Sequence, residues 1–215
     1  MPLLFHDSVL PPGEWGLWRI DESESDLRGH VSLFHREIEQ IERIRGAERR
    51  REFLAARLLL HHMSGRSVRA ELIKDTDGKP HLDDSLFFVS ISHTVGYSAA
   101  IAHPRPCGVD VQRIVPRIRR LARKFVNVEE SVHLQQEYEL TQLHLIWAAK
   151  EAMYKAYGKR QLDFREHLHV NLADYGPEIS TADAYLRTET VTMHFHLEFR
   201  CYPTFVIVAA VEINP

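Results

Sequence analysis

The sequence predicts an α+β fold in two lobes, and three observations carry that prediction. Each half of the chain holds segments with the 3.6-residue apolar period of helices. Each half also holds short, β-branched or aromatic runs bounded by turn residues, the pattern of a small antiparallel sheet. Between the halves, Pro104-Arg105-Pro106 breaks the chain, so that 215 residues divide into lobes at 1–104 and 105–215.

The elements follow in order. Glu14 to Ile20 is short and aromatic and reads as a strand. Asp21 to Asp26 offers N-cap side chains and early acids. From Leu27 to Arg45, Val31, Phe34, Ile38, Ile41 and Ile44 recur at spacings of three and four, which predicts one amphipathic helix ended by Gly46. A second helix is expected from about Ala47 to Met63. Strands are expected at Val68–Lys74, Leu86–Ser92 and Tyr97–Ala102, with Asp75 to Pro80 a loop rich in turn residues. A strand at Cys107–Gln112 opens the second half. Helical material is expected from Arg117 to Gly158, interrupted near Asn127 and Glu137. Strands at Tyr185–Thr188, Val191–Phe199 and Thr204–Ile213 complete the reading.

Composition narrows the function classes. Hydrophobic residues at 44% and charged residues at 27% suit a globular chain and exclude a disordered one. The longest apolar run, Phe205 to Val211, falls far short of the ~20 residues that span a bilayer. The first residues lack a basic region followed by a long apolar core, so no secretory signal is expected. Cys107 and Cys201 are too few for a disulfide framework or a zinc site and read as free thiols in a reducing cytoplasm. The net charge of -3 gives no bulk attraction to nucleic acid or membrane, so charge-based binding has to come from local clusters.

Two segments carry candidate chemistry. Cys107-Gly108-Val109-Asp110-Val111-Gln112 is an apolar strand with one acid beside a glycine. Trp147-Ala148-Ala149-Lys150-Glu151-Ala152-Met153-Tyr154-Lys155-Ala156 is helical, with Trp147, Glu151 and Lys155 on one face. Alone, a helical Glu-x-x-x-Lys is ordinarily a solvated ion pair worth ~0.3–0.5 kcal/mol, and a single Asp near a strand end is ordinarily a turn residue. In this order, about forty residues apart, the two segments resemble the signature of the 4′-phosphopantetheinyl transferases, with every fixed position filled. Ser90-Ile91-Ser92-His93-Thr94 and Gly78-Lys79-Pro80 are similar to segments of the longer, Sfp-like class, and Arg50 and Arg57 fall where those enzymes keep basic residues.

The resemblance implies a pseudo-dimer of two similar lobes, a monomer in solution, that moves 4′-phosphopantetheine from coenzyme A to a serine of an apo acyl or peptidyl carrier protein and releases adenosine 3′,5′-bisphosphate. Within it, the lobe at 1–104 contacts coenzyme A and the lobe at 105–215 carries the metal and catalytic motif. Mg²⁺ takes oxygen ligands, and Asp110 and Glu151 are the implied carboxylates. Glu151 is implied as the acceptor of the serine proton, directly or through a metal-bound water, and Lys155 as the group that neutralises or protonates the leaving phosphate. Arg50, Arg57, Lys79, Pro80, His93, Thr94 and Lys150 are implied contacts of coenzyme A, with Arg57 favoured over Arg50. Gln112 departs from the pattern, since many Sfp-like enzymes keep an acid there. It is expected to lie at the metal and to loosen its binding. A non-catalytic module binding coenzyme A or a nucleotide on the same fold is the alternative.

Arg113 to Lys124 holds six basic residues and no acid. Nucleic acid is the first reading of such a run, but the overall charge and the lack of a nucleic-acid fold signature speak against it. Residues 113–125 are read as the surface for an acidic carrier protein, with Ile118, Leu121 and Phe125 either supplying apolar contact or belonging to the core. Trp147 is expected to pack its helix onto the sheet. His61, His62, His194 and His196 show no zinc spacing.

Overall fold

Strands β1 (Leu3–Val9) and β2 (Gly13–Arg19) open the chain as an antiparallel pair in a computed structural model that describes residues 3–159 and 161–213. Contacts divide the chain into two units, 1–104 and 105–215, each with its own sheet and core.

In the first unit, α1 (Glu24–His30), α2 (His35–Arg43) and α3 (Ala47–Ser64) precede β3 (Leu72–Lys74), β4 (Pro80–Leu82), β5 (Phe88–Thr94) and β6 (Tyr97–His103). The sheet is antiparallel throughout, in the order β1-β2-β6-β5-β4-β3. Helix α3 lies across β2, β6 and β5, and its Leu54, Ala55 and Leu59 bury against Trp18, Val89 and Ala100. Gly65 ends α3 in the left-handed region at φ 59°, where glycine carries no steric cost.

The second unit comprises β7 (Cys107–Arg113), two short 3-10 turns (Pro116–Arg120 and Ala122–Lys124), α4 (Val128–Ser131), α5 (Glu139–Tyr157), β8 (Leu168–Val170), β9 (Thr181–Arg187), β10 (Thr192–Cys201) and β11 (Phe205–Ile213). Its sheet runs β7-β11-β10-β9-β8, again antiparallel. Helix α5 crosses β7 and β11, and its Ala149, Ala152, Met153 and Ala156 bury with Phe195, Val208 and Ala210. The predicted α+β architecture, an antiparallel sheet with helices in each unit, is the one observed. Among the described residues no helix is long and apolar enough to cross a membrane.

Several local expectations change. The single helix expected over Leu27–Arg45 is two helices with an extended break at 31–34. Arg69 donates to the Ser32 carbonyl from a distant segment, and the Glu37 carboxylate caps α2 by accepting from the Phe34 N–H, so one tertiary partner and one local cap take the backbone groups that a continuous helix would use. Strands β1, β4 and β8 were not anticipated. The two three-residue strands carry too little pattern to read, and β1 shows no sustained alternation. The basic segment after β7 is 3-10 rather than α-helical, with Ile118 and Phe125 in the core and Leu121 exposed. Trp147 packs against the core that α5 shares with the sheet, and its ring meets Phe125 and Phe164 in connecting segments, with centroids 5.1 and 5.5 Å away.

One close approach fixes the second unit. A Cβ added at Gly108 would fall 1.9 Å from the Ala152 carbonyl oxygen and 3.0 Å from the Ala156 nitrogen. Only glycine on β7 and small residues on α5 allow these backbones to meet. Gly108→Ala is therefore expected to lose at least ~2–3 kcal/mol of stability from overpacking. Urea denaturation checks this, and an unchanged midpoint would show that strand and helix can separate freely.

Candidate active site

Strand period two puts Gly108, Asp110 and Gln112 on one side of β7, the side on which Gly108 meets α5. Asp110 is therefore delivered to the helix face bearing Glu151 and Lys155. Asp110 is 3% exposed. Lys155 Nζ donates to its Oδ1 at 2.7 Å and to the Val109 carbonyl at 2.9 Å. Gln112 Nε2 donates to its Oδ2 at 2.7 Å. Glu151 is half-buried, and burial pushes its carboxyl above the ordinary value, with the Asp110 charge adding to the rise and Lys155 opposing it. Two carboxylates thus share one lysine.

That donor set fits a hard divalent cation. Its acids are oxygen donors, and two carboxylates stand against the one ammonium of Lys155. Among the described residues no group of three histidines, cysteines or acids is arranged to hold a metal alone. The protein therefore supplies two carboxylates, and a cation would take its other ligands from phosphate and water. Gln112, expected at the metal, lies beside Asp110. Its amide N–H end faces Asp110 and braces the carboxylate.

Lys150 also corrects its expected role. It is fully buried, and its three protons go to the Phe125 carbonyl at 2.6 Å, the Glu130 carboxylate at 2.8 Å and the Phe164 carbonyl at 2.9 Å. Glu130 in turn accepts from the Asn127 and Val170 N–H groups. Burial drives the Lys150 amine downward and Glu130 opposes that shift. With every donor committed inside the core, Lys150 ties the segments at 125–130 and 164 to α5 and does not reach a bound phosphate.

In the first unit, Arg57 is corrected for the same reason. It is 3% exposed, bonded to Glu37 at 2.9 Å and stacked 3.2 Å over the Phe53 ring. Arg50 is tied to Glu24 at 2.8 Å and to the Ile44 carbonyl at 3.2 Å. The basic side chain that meets His93 is Arg49. Its Nη1 donates to His93 Nε2 at 2.9 Å, while the buried Glu52 lies 3.2 Å from Arg49 and 3.6 Å from His93. No spacing rule could find a pair 44 residues apart that joins α3 to β5. His93 is exposed, Thr94 half-buried, and Lys79 sits 5.3 Å over the Phe88 ring, just before Pro80 opens β4. A cleft of about 870 Å³ between Trp18, His30, His61 and Arg66 includes none of these residues.

An α+β domain in which one strand and one helix gather two carboxylates and a lysine is the class that the fold and site define. Comparison with known proteins gives the family. The 4'-phosphopantetheinyl transferase superfamily matches residues 106–204, and the 4'-phosphopantetheinyl transferase N-terminal domain matches residues 39–103. The chain belongs to the 4′-phosphopantetheinyl transferase superfamily, in its Sfp-like class. It is similar to the 4'-phosphopantetheinyl transferase gsp of Aneurinibacillus migulanus, 30% identical over 89 residues, which are 40% of this chain and 37% of that protein. The match thus spans well under half of that relative's length.

The Glu37 cluster gives a pH-dependent prediction. Burial alone would raise the Glu37 carboxyl, but bonds from Arg69 and the charge of Arg57 outweigh it and hold it below the ordinary 4.5. A carboxyl lowered by folding contributes stability above its unfolded value, and that contribution is lost as pH falls through the folded one. Glu37→Gln should therefore cost ~3–5 kcal/mol at pH 7, since it leaves buried guanidinium charge uncompensated. The variant should also lose less further stability than the parent below pH 4.5. Denaturant midpoints measured from pH 7 to 3 check both, and parallel acid limbs would place the acid sensitivity elsewhere.

Proposed function

We propose that the chain transfers the 4′-phosphopantetheine arm of coenzyme A to a serine hydroxyl of an apo acyl or peptidyl carrier protein, as a holo-carrier-protein synthase, and releases adenosine 3′,5′-bisphosphate. The observation that carries this reading is the cluster of Asp110, Glu151 and Lys155, built by β7 and α5 in a chain of this superfamily. The serine oxygen bonds to the β-phosphorus of the pyrophosphate as the bridging P–O bond breaks. The serine proton passes to the Glu151 carboxylate, whose raised pKa makes it a better base than an exposed acid. Lys155 donates to a phosphate oxygen and offsets charge on the departing bisphosphate. Asp110 and Glu151 would hold Mg²⁺, which when bound neutralises pyrophosphate charge.

Arg49, His93 and Lys79 are assigned to phosphates of coenzyme A. They are exposed or half-buried donors, unlike Arg57 and Lys150. Arg50, Pro80 and Thr94 line the same segments. The carrier protein is assigned to residues 113–125, where Arg113, Arg117, Arg119, Arg120, Arg123 and Lys124 are all exposed beside Leu121 at 46% and Val128 at 71%. A basic rim around apolar side chains suits an acidic helical partner. The reading places the protein in the cytoplasm as a monomer.

Incubation with coenzyme A, Mg²⁺ and a panel of apo-carrier proteins tests the activity through the mass of the added arm. No added mass on any carrier, with coenzyme A still bound, would favour a binding module. Asp110→Ala and Glu151→Ala are each expected to lower turnover by about 100-fold or more, the scale of removing one preorganised electrostatic group. Normal turnover in either would remove that residue from the site. Reversing Arg117, Arg120 and Lys124 to Glu should raise the carrier KM about tenfold while leaving that for coenzyme A unchanged, and the parent's carrier KM should rise with salt. A carrier KM unmoved by the reversal would place docking on another surface.

A further inference from the structure

The Asp110 carboxylate has a donor on each oxygen from within its own unit. Lys155 holds Oδ1 and Gln112 holds Oδ2, both at 2.7 Å. Lys155 is the charged one of the two, and its ammonium stands against the oxygen that a divalent cation would seek. It sits in the last turn of α5, three residues before Gly158 ends the helix, and its side chain is 28% exposed. A four-carbon stem at such a position can turn outward without disturbing the helix. An ammonium at 2.7 Å and a divalent ion coordinated to the same oxygen would lie within about 4 Å of each other, where like charges repel strongly.

We propose that Lys155 is a latch on the cation site: it occupies Asp110 in the cation's stead, and a divalent ion binds there only by displacing it. The inference rests on the transferase reading for the destination of the displaced lysine, which is the substrate phosphate. Lysine and metal exclude each other on Asp110, so metal binding sets the lysine free to serve the phosphate. The cost of breaking the Lys155–Asp110 bond appears as weak affinity for the ion when phosphate is absent.

Binding of Mn²⁺ to the protein without coenzyme A tests this, followed by the electron paramagnetic resonance signal of the free ion. Lys155→Met should bind Mn²⁺ at least tenfold more tightly than the parent. Lys155→Gln, which keeps a neutral donor, should bind at least threefold more tightly and guards against misfolding of the methionine variant. Lys159→Met removes the same charge four residues on, from an exposed position, and should change affinity less than twofold. Asp110→Asn placed in the Lys155→Met background should abolish the gain. Equal affinity in parent and Lys155→Met, equal gains in the two methionine variants, or a gain that survives Asp110→Asn would each overturn the latch. A parent that binds Mn²⁺ as expected but modifies no carrier protein would overturn the transferase reading and leave the competition for Asp110 standing.

Discussion

The backbone contact between Gly108 and Ala152 is the constraint on which the candidate site depends. Asp110 is two residues beyond the glycine on the same face of β7, and Glu151 and Lys155 flank Ala152 on α5. Any side chain at Gly108 would force strand and helix apart. The acids would then separate, and Lys155 would lose its 2.7 Å bond. Small residues at 149, 152 and 156 serve the same end from the helix side, since each lets α5 settle onto the sheet. The chemistry thus rests on the absence of side-chain volume at one position and on charge at its neighbours.

Buried charge does structural work in both units, and in each it mimics a functional pattern. Lys150 lies beside Glu151 in the sequence, yet a rotation of about 100° per residue turns it into the core, where Glu130 and two carbonyls satisfy it. Arg57 shares α3 with Arg49 and is sealed against Glu37. Such pairs cost desolvation and add little net stability compared with apolar packing, but removing one partner strands the other. Their evident consequence is registry. Glu130 gathers Asn127, Val170 and Lys150 from three separate segments, and Glu37 gathers Phe34, Arg57, Arg69 and Leu72.

The active-site charges are arranged in the opposite way. Asp110 and Lys155 are close enough to Glu151 to act on its carboxyl, and two acids against one lysine remain short of neutrality. A site with two acids and one lysine is poised to accept further positive charge, and the partial exposure of Glu151 and Lys155 leaves access for it. Lys150, by contrast, has no bond left to give.

The sequence by itself determined the α+β class, the helices α3 and α5 and the strands β5, β6, β7, β10 and β11, because period and turn chemistry are local properties. Through the resemblance of its two motifs it also pointed to the family and to Asp110, Glu151 and Lys155 as one group, where each segment alone reads as a turn acid or a solvated ion pair. Side-chain direction over longer distances was beyond it. Whether a cation on a helix faces solvent or core depends on what packs against that helix, so residue order does not distinguish the exposed Arg49 from the buried Arg57 and Lys150. The break at 31–34 was hidden for a related reason, since its cause, Arg69, lies 37 residues from the carbonyl it holds. Only the tertiary structure decided that Gln112 would brace Asp110 with its amide hydrogens, because an amide offers either a donor or an acceptor and its neighbours choose between them.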